Sequence, residues 1–181
     1  MMKKILAALL VLALLGACTT KPQDPPAEIA DMSGYGINSE NYYVLAMEDA
    51  YEFMGKETAY LYFGFDTCPW CLELVPLLDT IANEKNIHIY YVNVRPFGED
   101  IRVAENADFQ KVYELTKEFL DLNPEGNPHF YVPQLFAVQD GKIVGDHIGA
   151  LPDHDSREAK MTAEEIQQLK DELLIFIDTI K

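Results

Sequence analysis

The sequence predicts an α/β domain with a central mixed β-sheet flanked by helices, and three observations carry that reading. Thr58 to Phe65 and Ile87 to Val94 are apolar, aromatic and β-branched runs without polar alternation, as in strands buried on both faces. Between them the apolar spacing becomes helical, and a β-α-β order favours a parallel pair joined by a crossover. Further on, Asp140-Gly141 separates two more strand-like segments, a hairpin signal that adds antiparallel pairing.

Taken in order, the elements follow from local chemistry. Ser39 is placed to cap a helix with Val44, Met47, Tyr51 and Met54 at helical spacing and Gly55 as its stop. After the first strand, Leu72, Leu74, Val75, Leu77, Leu78 and Ile81 form the apolar side of a second helix, which Pro76 is expected to kink. Residues 95–131 are weakly patterned. Phe109, Val112, Thr116, Phe119 and Leu120 suggest a helix ended by Pro124 and Gly126, with Asn127-Pro128-His129 as loop. Val132 to Val138 reads as a strand opened by Pro133, and Lys142 to Ile148 as its antiparallel return. Thr162 and Glu165 form a capping box for a last helix with Ile166, Leu169, Leu173, Phe176 and Ile177 on one side. The expected order is α-β-α-β-α-β-β-α. Tyr42, Tyr43, Tyr60, Tyr62, Tyr90 and Tyr91 fall on these elements and read as core and rim packing.

The N-terminal stretch indicates export. Lys3 and Lys4 precede an apolar run from Ile5 to Leu15, then Gly16-Ala17-Cys18. Those eleven apolar residues would rise about 16 Å as a helix, against roughly 30 Å of hydrocarbon, which disfavours a membrane span. Leu15-Gly16-Ala17-Cys18 resembles the bacterial lipobox, which implies cleavage after Ala17 and a diacylglyceryl group on Cys18. Two acyl chains suffice for stable anchoring. The expected division is a signal peptide at 1–17, a Pro-bearing tether at 18–33 and one domain at 34–181, lipid-anchored on the extracytoplasmic face. The formal charge is −16, and removal of Lys3 and Lys4 takes it to −18, which argues against nucleic acid and against docking on anionic lipid.

Of three cysteines, Cys18 is thus accounted for, leaving Cys68-Pro69-Trp70-Cys71 between the first strand and its helix. Two thiols three residues apart on a first helical turn share one face. Cys68 would meet unpaired backbone N–H groups and the positive end of the helix dipole, both of which favour a thiolate. Cys71 would lie deeper, stay protonated longer and resolve a mixed disulfide formed at Cys68. Asp66 and Glu73 are nearby anions, and no Lys or Arg lies between Lys56 and Lys85, so only moderate activation is expected. Trp70 is expected to be an exposed apolar contact for a client. Three alternatives stand beside exchange chemistry: a structural disulfide, zinc binding with two of His88, His129, His147 and His154, and a thiol-independent binding module. Asp153-His154-Asp155 reads as a solvated loop rather than a metal site, and no metal or cofactor is called for.

With Cys68-Pro69-Trp70-Cys71, Pro76 five residues beyond Cys71, and Pro133 before a strand–turn–strand ending in Gly149-Ala150, the chain resembles the thioredoxin-like fold family over roughly residues 40–180. The resemblance implies that Pro133 is cis and that its loop packs on the cysteine pair. It makes Cys68, Cys71 and Pro133 the catalytic residues and Pro69, Trp70 and Val132 the substrate contacts. It implies protein thiol or disulfide clients and a membrane redox partner. Tyr62 stands where many thioredoxins bury an aspartate, Thr67 where they place a tryptophan, and Pro69-Trp70 replaces their Gly-Pro. The Thr-Cys-Pro-aromatic-Cys pattern is similar to thioredoxin-like proteins called bacteriocin-transport accessory proteins. The implied function is extracytoplasmic thiol–disulfide exchange, with a non-catalytic adapter or chaperone of an export system as the alternative.

Overall fold

The computed structural model describes residues 28–181. Five strands form one mixed sheet: β1 (Tyr42–Val44), β2 (Ala59–Gly64), β3 (Ile89–Asn93), β4 (Gln134–Gln139) and β5 (Lys142–Ile148), in the order β1-β3-β2-β4-β5. β3 runs parallel to β1 and β2, while β4 is antiparallel to both β2 and β5. Four helices flank it: α1 (Met47–Met54), α2 (Pro69–Lys85), α3 (Ala107–Thr116) and α4 (Ala163–Ile177). α1 packs with α3 and α2 with α4. Every residue of β2 is buried, as its unbroken apolar sequence requires when helices cover both faces.

The central β-α-β unit and the hairpin stand where the sequence places them. Asp140 and Gly141 both take positive φ (52° and 73°), the geometry of a two-residue hairpin turn. Gly141 also brings its backbone against the Gly55 carbonyl, where a Cβ would collide, and its N–H donates to the Glu57 carbonyl at 3.0 Å. Pro76 lies inside α2, which continues through it. Thr162 and Glu165 make the reciprocal capping box of α4, whose Leu169, Leu173, Phe176 and Ile177 are buried.

Three expectations need correction. The first helix begins only at Met47, because Tyr42–Val44 pairs with β3 as an edge strand. Val44 and Tyr51 are exposed, and the buried positions are Met47, Ala50 and Met54, so the helical spacing through Val44 was fortuitous. Ser39 caps nothing; its hydroxyl donates to Asp79 on α2 at 2.5 Å and accepts the Asn41 N–H. Residues 28–33 are not tether. Ala30 donates to the Tyr42 carbonyl, Val44 to the Glu28 carbonyl, and Ala30 and Met32 are buried in the core. The third helix ends at Thr116, whose hydroxyl bonds back to the Val112 carbonyl, and a 3-10 turn, Lys117–Phe119, follows.

Two substitutions measure what holds this arrangement. Leu78→Ala empties a fully buried position on α2 and is expected to cost about 2–5 kcal/mol. Thr162→Ala removes the α4 cap and is expected to cost about 1 kcal/mol. Urea unfolding should show both as shifts in midpoint at constant slope.

Candidate active site

The register of the sheet brings the two halves of the site together. β2 leads into the 65–67 loop and Cys68, while β4 begins directly after Pro133. Because β2 and β4 are antiparallel neighbours with Phe63 opposite Gln134, the exit of one strand and the entry of the other lie at the same sheet end. The Val132–Pro133 peptide is cis, and the Cys68 thiol donates to the Val132 carbonyl at 3.7 Å. At the far end of the hairpin the Gly149 N–H donates to the Pro133 carbonyl at 2.9 Å.

Cys68 is the N-cap of α2. Its sulfur accepts the Cys71 N–H at 3.4 Å, and Pro69 occupies the first helical turn, where no N–H is needed. Both cysteines are free thiols. The Cys68 thiol is drawn down to about 7, chiefly by its hydrogen bond with the Cys71 thiol. The backbone N–H groups of Cys71 and Trp70 and the charge of Arg102 help, against the opposing effect of burial. Cys71 is fully buried, and burial together with the neighbouring Cys68 pushes its thiol far up. One sulfur is thus ready to ionise near neutrality and the other is held as a thiol, the division of labour that attack and resolution require.

Arg102 is the residue that sequence reasoning missed. It arrives from the weakly patterned 95–131 stretch, fixed by Asp100 at 2.7 Å and by the Phe130 carbonyl at 2.9 Å. Glu73, expected to oppose the thiolate, is engaged elsewhere. Its carboxylate accepts from Ser156 at 2.5 Å and from the Met161 N–H at 3.2 Å, and meets the His154 ring at 2.8 Å.

Asp153-His154-Asp155 lies in a loop with Asp153 exposed, as expected, but its histidine is not solvated. His154 is buried, with its two ring nitrogens facing Glu73 and Glu165. His88, for its part, lies outside β3, exposed against Tyr43. Trp70 is half-buried rather than free: its indole N–H donates to the His154 carbonyl at 3.3 Å, and Arg157 sits over its ring at 5.0 Å. Pro69 and Val132 are half-buried too, and Pro133 is buried. A cleft of about 540 Å³ opens here between Trp70, Tyr131, Val132, Gly149, Leu151 and His154. Cys68 itself keeps only 4% of its surface exposed; it lies behind the cleft wall, next to Trp70 in sequence and in contact with the Val132 carbonyl. Cys18 lies outside the described residues, and among those described no helix is long and apolar enough to cross a membrane.

This arrangement is a thioredoxin-like fold, with a helix-start cysteine pair facing a cis proline at the edge of the β2–β4 ladder. No protein-family model matches the sequence. Among solved structures, the chain is similar to thioredoxin from Trypanosoma brucei brucei at 14% identity, over 78% of this chain and 97% of that one, with a TM-score of 0.42. It is similar to thioredoxin from Aeropyrum pernix at 17% identity, over 73% and 85% of the two chains, with a TM-score of 0.40. For Chlamydomonas reinhardtii thioredoxin f2 the identity is 15%, the coverage 61% and 85%, and the TM-score 0.37. The fold assignment rests on strand order and on the contact of Cys68 with the carbonyl that precedes the cis Pro133, not on these likenesses.

Thiolate absorbance of the reduced chain is expected to rise with a midpoint at about pH 7 for Cys68. The folded value lies below the ordinary 9.0, so this thiolate stabilises the reduced fold fully above about pH 9 and loses that contribution as pH falls through about 7. Arg102→Ala should move the midpoint upward. Glu73→Gln should leave it in place while loosening the 151–162 segment, read as faster amide exchange there.

Proposed function

We propose that the chain is a thiol–disulfide oxidoreductase acting on protein thiols or disulfides through Cys68 and Cys71. The observation that carries this is the asymmetry of the pair, an ionisable Cys68 beside a cleft and a sealed Cys71 beneath it. In the forward cycle Cys68 attacks a client disulfide, and Cys71 then displaces the client and closes the Cys68–Cys71 bond. A structural disulfide would need neither the asymmetry nor the cleft, and a bridge across so short a ring removes little chain entropy.

The lipobox-like Leu15-Gly16-Ala17-Cys18 supports a lipid anchor on Cys18 and an extracytoplasmic location, with electrons exchanged through a membrane redox partner. The direction we favour is reductive. A nucleophile at about 7 stands with that of thioredoxin and far from the roughly 3.5 of the strongest oxidase of this fold. The equilibrium potential of the couple against glutathione is expected nearer to about −270 mV than to about −120 mV.

The slight exposure of Cys68 favours one second reading, a non-catalytic adapter or chaperone of a membrane transport system. Two variants separate the two. For an oxidoreductase, Cys68→Ser should abolish reduction of a protein disulfide, and Cys71→Ser should accumulate mixed disulfides visible on non-reducing gels. Retention of the cellular phenotype by both variants would establish the adapter instead.

A further inference from the structure

Cys71 has to lose a proton before it can attack, yet it is fully buried and has no surface through which to release it. Besides Cys68, the polar side chain that acts on its thiol is Tyr62 of β2, itself fully buried. Tyr62 donates to the hydroxyl of Tyr35 at 3.1 Å, and Tyr35 donates to that of Tyr91 at 3.1 Å. Tyr91, on β3, reaches the surface with 8% exposure, where the Asp66 carboxylate acts on it.

The three rings fix one another. Tyr62 and Tyr91 stack with centroids 5.3 Å apart and planes at 16°, and Tyr35 sits edge-on to both at 6.0 and 5.9 Å. Glycines clear both ends of the chain of hydroxyls. A side chain at Gly64 would strike the Tyr62 hydroxyl, and one at Gly34 would meet the Asp66 carboxylate at 2.5 Å.

We propose that Tyr62, Tyr35 and Tyr91 form a hydroxyl relay that carries the Cys71 proton out of the core during resolution of the mixed disulfide. The proposal rests on the exchange chemistry above. In the step, the Cys71 sulfur bonds to Cys68 as its S–H bond breaks. The bond between Cys68 and the client sulfur breaks, and its electron pair leaves with the client thiolate, which solvent protonates. Tyr62 accepts the Cys71 proton while passing its own to Tyr35. Tyr35 passes one to Tyr91, and Tyr91 gives one to Asp66 or water. Each hydroxyl ends the step neutral. That matters, because burial raises all three above the ordinary phenol range and no free phenolate is affordable at neutral pH. When the closed disulfide is reopened, the same route brings a proton in.

The test uses the full chain carrying Cys18→Ser, reduced, in detergent, and mixed with excess Ellman's reagent at about pH 7, with two phases of thionitrobenzoate release. The first reports attack by Cys68 and the second reports displacement by Cys71. Tyr62→Phe and Tyr35→Phe are each expected to slow the second phase by about tenfold or more while leaving the first within about twofold. Tyr35→Phe is the sharper of the two, since it breaks the relay while Tyr62 remains beside Cys71. An unmoved second phase in Tyr35→Phe, or equal slowing of both phases, overturns the relay. A missing first phase in the chain with all its tyrosines would instead remove the exchange chemistry, and the relay with it.

Discussion

The contact between the Cys68 thiol and the Val132 carbonyl joins residues 64 positions apart in sequence, and most of the fold serves to make it. Neither partner is placed by its own neighbours. Cys68 is carried by the end of β2 and the start of α2, and Val132 by the approach to β4. The antiparallel register that sets Phe63 opposite Gln134 decides that these two ends coincide. A slip of one residue in that ladder would exchange the side chains of β4 between its two buried faces and carry Pro133 away from the thiol. Burial of Leu135, Phe136, Ala137 and Val138 resists such a slip, so the apolar core sets the geometry of the sulfur chemistry.

The electrostatics at Cys68 run against the charge of the whole chain. A net −16 opposes a thiolate, but the effects that decide are short-ranged. A thiol and two backbone N–H groups bond the sulfur directly, and Arg102 adds a cation, all against desolvation. The nearest acidic residue on the helix, Glu73, is withdrawn into contacts with His154, Ser156 and Met161. Moderate activation, expected from the sequence because carboxylates oppose it, is found here for a different reason: burial offsets the hydrogen bonds.

What the sequence made legible was local chemistry and strong periodicity. The buried runs of β2 and β3, the Asp140-Gly141 turn, the Thr162–Glu165 box and the Cys-Pro-Trp-Cys pair each declare themselves within a few residues. The misjudged parts depend on distant partners. Tyr42–Val44 is too short to show a strand period, and only pairing with β3 makes it one. Arg102 acts on Cys68 through its charge from a stretch with weak patterning, and nothing in its neighbours signals that effect. His154 sits in a polar, Pro-bounded sequence that looks solvated until Glu73 and Glu165 are folded against it. Tyr62 was legible as packing, but its hydroxyl contacts needed Tyr35, from a turn just beyond the stretch taken for tether.

The 151–162 segment gives this version of the fold its particular character. A cysteine pair at a helix start is ordinarily framed by whatever precedes it, and here Thr67 contributes no large side chain. Bulk comes instead from Trp70, which the His154 carbonyl and Arg157 hold at the rim of the cleft. His154 is in turn held by Glu73, one turn further along the same helix that carries Trp70. Helix, segment and indole therefore form a closed circuit of contacts that builds the cleft wall. For the exchange chemistry proposed above, the near-complete cover of Cys68 makes the residues flanking a partner sulfur part of the fit against this wall and Tyr131. Selectivity, on this account, resides in the shape of the approach rather than in the sulfur pair itself.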